Sequence, residues 1–229
     1  MESKAPDIIY FANEFGPLTH RNLADLTRMH PISVRRILPR LVKQKRLYCM
    51  KQGMHKPHIY ATYNITHRSD FIHDLARADV AAALHNTGLM TYWHQPRQKL
   101  SRGKSVNEDA RFELSVEVGT RIALLRFYLE LDTGTEGYGQ IEDKLKRYLA
   151  LKDSSQVLFV VKFNSTKAHR TLPQTLAQLA ERFIRKSDPH MWAKFLFADY
   201  ERFLADPLER VCHIPYDPER HSILCALVE

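Results

Sequence analysis

The sequence predicts a mixed α+β protein in two parts, a winged helix-turn-helix domain in residues 1–66 and a larger α/β domain in residues 67–229. Three observations predict this organisation. Residues 1–66 show the order helix, helix, helix, hairpin; positive charge is concentrated in the same stretch; and two strands with strict alternation lie between residues 109 and 132.

The first part has the order of elements that a winged helix-turn-helix needs. Apolar residues at helical spacing predict three helices, at Ile8–Phe15, Arg21–Arg28 and Ile32–Lys43. Thr19 is placed to cap the second helix. Two β-like runs that would form the wing follow around a turn at Gly53, at Leu47–Lys51 and His58–Tyr63. Pro39 lies inside the third helix, so we expect a kink or an early end there.

Charge points to a polyanionic partner for this first part. Residues 1–66 hold 11 Lys and Arg against 4 Asp and Glu, whereas residues 67–229 hold 23 against 22. A concentrated cationic segment attracts polyanions, and a basic third helix suits DNA recognition. The DNA-binding candidates here are Ser33, Arg35, Arg36, Arg40, Lys51 and Lys56. The alternatives are that these side chains form only a solvated helix face, or that the segment dimerises a regulator.

The second part alternates helices and strands. The pattern predicts a helix at Asp70–Asn86 and a strand at Leu89–Gln95. An exposed basic loop, Pro96–Asn107, comes next, and its DNA-binding candidates are Arg97, Lys99, Arg102 and Lys104. Further elements are predicted at Tyr138–Leu151, Val157–Phe163, Leu172–Arg185 and Trp192–Ala198, in the order helix, strand, helix, strand.

A tight hairpin joins the two alternating runs, Asp109–Val118 and Arg121–Asp132. Glycine at Gly119 suits a type II′ turn, which pairs Val118 with Arg121. Counting outward gives favourable cross-strand neighbours: Leu114 with Leu125, Phe112 with Phe127, Ala110 with Leu129 and Glu113 with Arg126. A slip by one residue would place apolar side chains on the wrong face.

The same register gathers three acids. Asp109 falls opposite Glu130, and Asp132 lies on the same face two residues further along. Like charges at about 4 Å repel by roughly 1 kcal/mol in water and about 4 kcal/mol at a dielectric near 20, so the cluster opposes folding unless it is compensated. A divalent cation would compensate it, and oxygen ligands favour Mg²⁺ or Mn²⁺. The alternative is that the acids simply end two strands in solvent.

Segments 108–112 (EDARF), 127–136 (FYLELDTGTE) and 143–145 (DKL), together with Tyr148, resemble the replication-relaxation family. This family includes plasmid mobilisation relaxases of the MobC type, which are considered to carry a PD-(D/E)XK restriction-endonuclease-like domain behind a winged helix. The resemblance implies that Asp109 and Glu130 are metal ligands. Glu108 replaces the proline of the motif, and Asp132 replaces its usual lysine, as is typical of this family. Lys144, on the following helix, is the candidate replacement cation.

The resemblance implies a relaxase-like endonuclease that nicks one strand at a plasmid transfer origin for conjugative mobilisation. Asp109, Glu130 and Asp132 would hold the metal, and Lys144 would stabilise charge on the phosphate. Water, Tyr148 or Tyr138 would be the nucleophile. The expected partners are duplex and single-stranded DNA and accessory mobilisation or coupling proteins. The alternative is a non-catalytic replication or transcription regulator with a degenerate nuclease domain.

Other classes find little support in the sequence. There is no GxGxxG phosphate loop and no His-X-His relaxase motif. Three scattered cysteines lack zinc-site spacing and predict reduced thiols. Neither a signal peptide nor a membrane span is recognisable, so we expect a cytoplasmic protein that does not engage the membrane.

Overall fold

The computed structural model describes residues 4–51, 57–64, 68–96, 108–133, 136–151, 153–162, 172–186 and 188–225. The chain has a mixed α+β fold and divides into two compact units, Met1–Gly88 and Leu89–Glu229. Within the described ranges, every helix is too short or too polar to cross a bilayer.

The first unit contains four helices and a small antiparallel sheet among its described residues. The helices are α1 (Ala5–Glu14), α2 (His20–Thr27), α3 (Pro31–Lys43) and α4 (Arg68–Asn86). The strands are β1 (Leu18–Thr19), β2 (Tyr48–Met50) and β3 (Ile59–Ala61), in the sheet order β1-β3-β2. The predicted order of three helices followed by a hairpin is therefore present.

Local signals fix where α2 and α3 begin. The Thr19 hydroxyl accepts a hydrogen bond from the Asn22 N–H at 3.2 Å, and the Asn22 side chain accepts one from the Thr19 N–H at 2.9 Å, which caps α2 reciprocally. Helix α3 starts at Pro31 and runs past Pro39 to Lys43, so the early end expected at Pro39 does not occur. Pro39 is exposed, and solvent can hydrate the carbonyl that lacks its helical donor.

Helix α4 groups with the first unit, whereas the sequence analysis assigned residues 67–229 to the second part. Six of the nine side chains from residue 76 to 84 are buried, namely Ala76, Ala78, Val80, Ala81, Ala82 and Leu84. The side-chain amide of Asn22 also donates to Asp79 at 2.8 Å, which ties α4 to α2. Packing of α4 against α2 and β1 accounts for this grouping.

The second unit is built on a mixed sheet. Seven strands among its described residues take the order β10-β9-β8-β7-β6-β5-β4. Their bounds are β4 (Met90–His94), β5 (Ala110–Val118), β6 (Arg121–Asp132), β7 (Gln156–Val161), β8 (Phe195–Asp199), β9 (Cys212–Ile214) and β10 (Asp217–His221). Strands β6, β7 and β8 are parallel neighbours, and the remaining pairs are antiparallel.

The register predicted for the β5–β6 hairpin is confirmed at every pair from Val118–Arg121 to Ala110–Leu129. Gly119 has a φ of +61°, the value that the first central residue of a type II′ turn requires. The hairpin therefore brings the start of β5 and the end of β6 to the same place in the sheet.

Helices cover one face of this sheet. Helix α5 (Tyr138–Leu149) connects parallel strands β6 and β7, and α6 (Pro173–Ala180) packs beside it over a buried cluster that includes Tyr148, Phe159 and Phe197. A short 3-10 helix (Pro189–Lys194) precedes β8, and α7 (Tyr200–Ala205) follows it. Because β6 faces α5 with its even-numbered residues, Tyr128 enters this core and Glu130 comes next on the same face.

Candidate functional site

Glu130 is a buried carboxylate near the end of β6, with only 1% of its surface exposed. Lys144 donates from Nζ to Oε2 of Glu130 at 2.5 Å, and the Tyr148 hydroxyl donates to Oε1. Both carboxylate oxygens are therefore engaged by side chains of α5. Lys144 and Tyr148 are four residues apart, which places them on one face of that helix.

Lys144 also reaches a second acid. Its Nζ lies 2.7 Å from Oε1 of Glu136, in the segment that leads into α5. The lysine side chain is 18% exposed, so the ammonium group joins a buried carboxylate to one nearer solvent. This three-residue arrangement, Glu130–Lys144–Glu136, is called the acid–lysine cluster below.

The surroundings shift the protonation of the cluster. The pKa of Glu130 is raised to about 7: burial is the largest cause, the nearby Asp109 carboxylate adds to the rise, and Lys144 and Tyr148 oppose it. Burial disfavours the charged form of Lys144, but Glu130 and Glu136 outweigh it and hold the lysine pKa above its usual value. The lysine therefore stays charged at neutral pH while Glu130 is poised to exchange a proton.

Asp109 lies one residue before β5, beside the end of β6. Its backbone N–H donates to the Leu129 carbonyl at 3.0 Å, and its Oδ2 accepts the Leu131 N–H at 2.7 Å. Asp109 is also close enough to raise the pKa of Glu130. The structure thus brings Asp109, Glu130 and Lys144 together.

Asp132 is the last residue of β6 and is buried. Alternation along the strand puts it on the face of Glu130, and its carbonyl accepts the Lys162 N–H at 2.7 Å. Within the part of the chain that the structure describes, no three His, Cys, Asp or Glu side chains are grouped so that they could hold a metal ion. Glu130 is turned to Lys144 and Tyr148 in this geometry, and the metal-ligand role of Asp109, Glu130 and Asp132 stays a prediction.

The two candidate nucleophiles have contrasting environments. Tyr148 is fully buried, and burial together with the Glu130 carboxylate raises its pKa well above the usual range. Formation of a phenolate at Tyr148 is therefore opposed. Tyr138, the first residue of α5, is 43% exposed and can be approached from solvent.

Several polar partners escaped the sequence analysis. The spacing in the sequence did not indicate Glu136 as a partner of Lys144, because the two residues come together only when α5 begins between them. Glu108 was noted as a departure from the family motif, and the structure pairs it with Arg111 at 2.5 Å. The Arg111 guanidinium also lies 5.0 Å from the centre of the Tyr128 ring. The spacing of three residues is typical of an ion pair such as Glu108–Arg111. It does not indicate the contact between Arg111 and the Tyr128 ring.

A second polar feature lies on α3 of the first unit. Its core-facing side chains Val34, Leu38 and Leu41 are buried. The remaining circumference carries the predicted DNA-binding side chains, all exposed: Ser33, Arg35, Arg36 and Arg40. Lys51, after β2, is exposed as well. The other basic candidates lie outside the described residues: Lys56, Arg97, Lys99, Arg102 and Lys104.

These features define a mixed α+β protein with an exposed basic helix in one unit and a buried acid–lysine cluster in the other. The chain belongs to the replication-relaxation family, whose sequence model matches residues 44–158. The matched stretch includes β5, β6 and α5, and with them Asp109, Glu130 and Lys144. Comparison with curated proteins and with solved structures gave no match. Membership of this family indicates a role in replication or mobilisation.

Proposed function

We propose that the protein binds duplex DNA during plasmid replication or mobilisation, and that its first unit is a winged helix-turn-helix with α3 as the recognition helix. The observation that carries the proposal is the exposed set of Ser33, Arg35, Arg36 and Arg40 on a helix whose other side is buried. Arginine donates to both phosphate oxygens and guanine edges, so such a helix can position the protein and select a sequence.

Neighbouring elements support the same role. Helix α2 packs against α3, and the β2–β3 pair follows α3 as a wing would. The concentration of positive charge in residues 1–66 would draw the chain to DNA from a distance. We propose a plasmid transfer origin as the DNA, in the cytoplasm, with accessory mobilisation or coupling proteins as further partners.

Charge reversal on α3 tests the proposal. Arg36→Glu should weaken binding to a fluorescein-labelled random-sequence duplex by more than about tenfold, because an attraction becomes a repulsion. Arg182→Glu is the matched control: it makes the same change in net charge at an exposed arginine of the second unit. Fluorescence anisotropy gives both affinities.

The control should bind within about threefold of the parent, since a single charge outside the contacting helix contributes little at physiological salt. If both variants lose affinity equally, binding follows net charge and α3 is not the contact. If neither loses affinity, DNA binds elsewhere or not at all.

A second candidate function is strand nicking at the acid–lysine cluster, with Asp109 and Asp132 beside it. The observation that favours it is Glu130, a carboxyl with a pKa of about 7 held against a charged lysine. Groups that titrate near the working pH are suited to general acid–base catalysis. Lys144 would stabilise the charge that develops on a phosphate, and Tyr138 or water would be the nucleophile. This second proposal includes a requirement for Mg²⁺ or Mn²⁺. No step of the reaction is assigned to the metal ion.

Nicking is tested on supercoiled plasmid that carries its own origin, with Mg²⁺, Mn²⁺ or a chelator. Asp109→Asn should abolish relaxation while the protein keeps its circular dichroism spectrum, and Glu113→Gln on the same hairpin should leave it unchanged. A covalent protein–DNA adduct that is lost in Tyr138→Phe would assign the nucleophile. Cleavage by Asp109→Asn at the parental rate would rule out this site. Duplex binding without cleavage in any metal would favour a non-catalytic regulator.

A further inference from the structure

The exposed arginines of α3 differ in one respect. Arg35 donates from its guanidinium Nη2 to Nε2 of His20, across a distance of 2.9 Å. Within the described residues, neither Arg36 nor Arg40 shows a contact of this kind to another side chain. The contact joins the first residue of α2 to the middle of α3.

We infer that His20 is a positioning residue for sequence recognition, because it holds the Arg35 side chain in one orientation for contact with a base edge. The inference rests on the proposed DNA binding by α3. It assigns His20 a part in choosing the sequence rather than in attracting the polyanion.

His20 is itself held in place. The reciprocal bonds between Thr19 and Asn22 fix the first turn of α2, and Asn22 is anchored in turn to Asp79 on α4. The imidazole is half-buried, whereas Arg35 is exposed. A fixed acceptor therefore meets a side chain that would otherwise sample many rotamers.

Holding one rotamer lowers the entropy that recognition must overcome. A guanidinium has five N–H donors in a rigid fork, and His20 uses one of them. The others stay available for a bidentate contact with a guanine, the most frequent specific contact of arginine. An ordered long side chain avoids a cost of about 0.5–1.5 kcal/mol on binding.

The protonation state of His20 suits this role. An arginine can only donate, so Nε2 must be the unprotonated nitrogen of a neutral ring. Burial lowers the pKa of His20, and Arg35 on α3 and His58 before β3 lower it further. At neutral pH the ring therefore accepts, and acidification removes the acceptor.

The test compares sequence preference with general affinity. Wild-type protein, His20→Ala and His20→Gln are used to select duplexes from a random-sequence library, and each is then titrated with the enriched duplex and with the unselected pool. We expect His20→Ala to lose about three- to tenfold in affinity for the enriched duplex, with its preference weakened at one base position and its affinity for the pool unchanged. His20→Gln, whose amide oxygen can accept, should recover part of the preference.

A pH series separates positioning from a structural effect. The ratio of the two affinities should fall for the wild type as the pH drops below about 6.5, the ordinary pKa of histidine, and it should stay flat for His20→Ala. His30 is the matched control, because its Nδ1 caps α3 by accepting the Ile32 N–H at 3.3 Å. His30→Asn keeps a capping acceptor and should retain the pH dependence.

The outcomes are distinguishable. Equal preference and equal pH dependence in the wild type and His20→Ala would overturn the positioning role and leave DNA binding by α3 intact. A uniform loss of affinity for both duplex samples would assign His20 to folding or phosphate contact and would also overturn it. Absence of any binding to either sample by the wild type would overturn the proposed function itself.

Discussion

The two units handle charge in opposite ways. On α3 of the first unit, Arg35, Arg36 and Arg40 are exposed. In the second unit, Glu130 is almost completely buried, and Lys144 and Tyr148 engage both of its oxygens. Exposed charges stay hydrated and can meet a partner at little cost, whereas a buried charge must be compensated from within.

This difference changes the argument for a metal. The sequence predicts repulsion among Asp109, Glu130 and Asp132 that a divalent cation would relieve. In the structure an ammonium group, a phenolic hydroxyl and the Leu131 N–H supply much of that relief. Repulsion among the three acids is therefore no longer an argument for a metal ion. The proposal of metal-dependent chemistry depends on the family resemblance, and the nicking assay described above tests it.

Removing the buried cation should have the largest effect. Lys144→Ala leaves Glu130 without its charged partner, and we expect the free energy of unfolding to fall by about 3 kcal/mol at pH 8. The loss should shrink near pH 5, because Glu130 can then take up a proton. Urea denaturation followed by circular dichroism measures both values.

Lys146→Ala is the control for that change. Lys146 is exposed on the same helix, and its ammonium lies 5.1 Å from the centre of the Phe183 ring. We expect a loss of about 1 kcal/mol or less. Equal losses in the two variants would mean that Lys144 in the buried cluster contributes no more to the free energy of unfolding than an exposed lysine does.

The raised pKa of Glu130 predicts a pH dependence of stability. Its value of about 7 in the folded protein exceeds the ordinary 4.5, so the folded state holds the proton more tightly. That contribution is present below pH 4.5 and is lost as pH rises through 7, a change of about 3 kcal/mol for this group alone. Relative to Glu130→Gln, the wild type should lose stability across this range. Parallel profiles for the two proteins would contradict the shift.

Tyr148→Phe should have a smaller effect. The substitution keeps the buried ring and removes the hydroxyl that donates to Glu130, so we expect a loss of about 2 kcal/mol at neutral pH. The same variant bears on chemistry: if DNA nicking is found, it should persist in Tyr148→Phe. Loss of a covalent DNA adduct in a folded Tyr148→Phe protein would instead identify this tyrosine as the nucleophile.

An exposed ion pair of the same unit should contribute least. Arg126 donates from Nε to Glu113 at 3.0 Å across the β5–β6 hairpin, and 63% of the arginine side chain is exposed. Arg126→Ala should lower the free energy of unfolding by less than about 1 kcal/mol, and a higher salt concentration should make this difference smaller still. A loss as large as that of Lys144→Ala would remove the contrast between exposed and buried charge.

The sequence predicted what depends on local pattern. Alternation and Gly119 gave the complete register of the β5–β6 hairpin, and helical spacing located α1, α2 and α3. Weaker patterns gave poorer boundaries: α6 ends at Ala180, five residues before the predicted end, and β8 begins at Phe195 after a 3-10 helix. Short elements such as α7, β9 and β10 offered too few residues for any period to show.

The sequence could not show what depends on tertiary packing. The contact between Lys144 and Glu130 forms only after α5 crosses over the sheet, and no spacing rule links the two residues. Helix α4 is rich in alanine and buried on many sides, so its pattern did not indicate the unit with which it packs. The contact between His20 and Arg35 likewise needs the packing of α2 on α3.

The central claim is that phosphate contacts come from the exposed arginines of α3. It is tested most directly by the salt dependence of duplex binding for the wild type and for an Arg36→Ala, Arg40→Ala double variant. The plot of log affinity against log salt should lose about two units of slope in the double variant, about one for each phosphate contact removed. Parallel plots for the two proteins would show that these arginines do not contact DNA and would contradict the account.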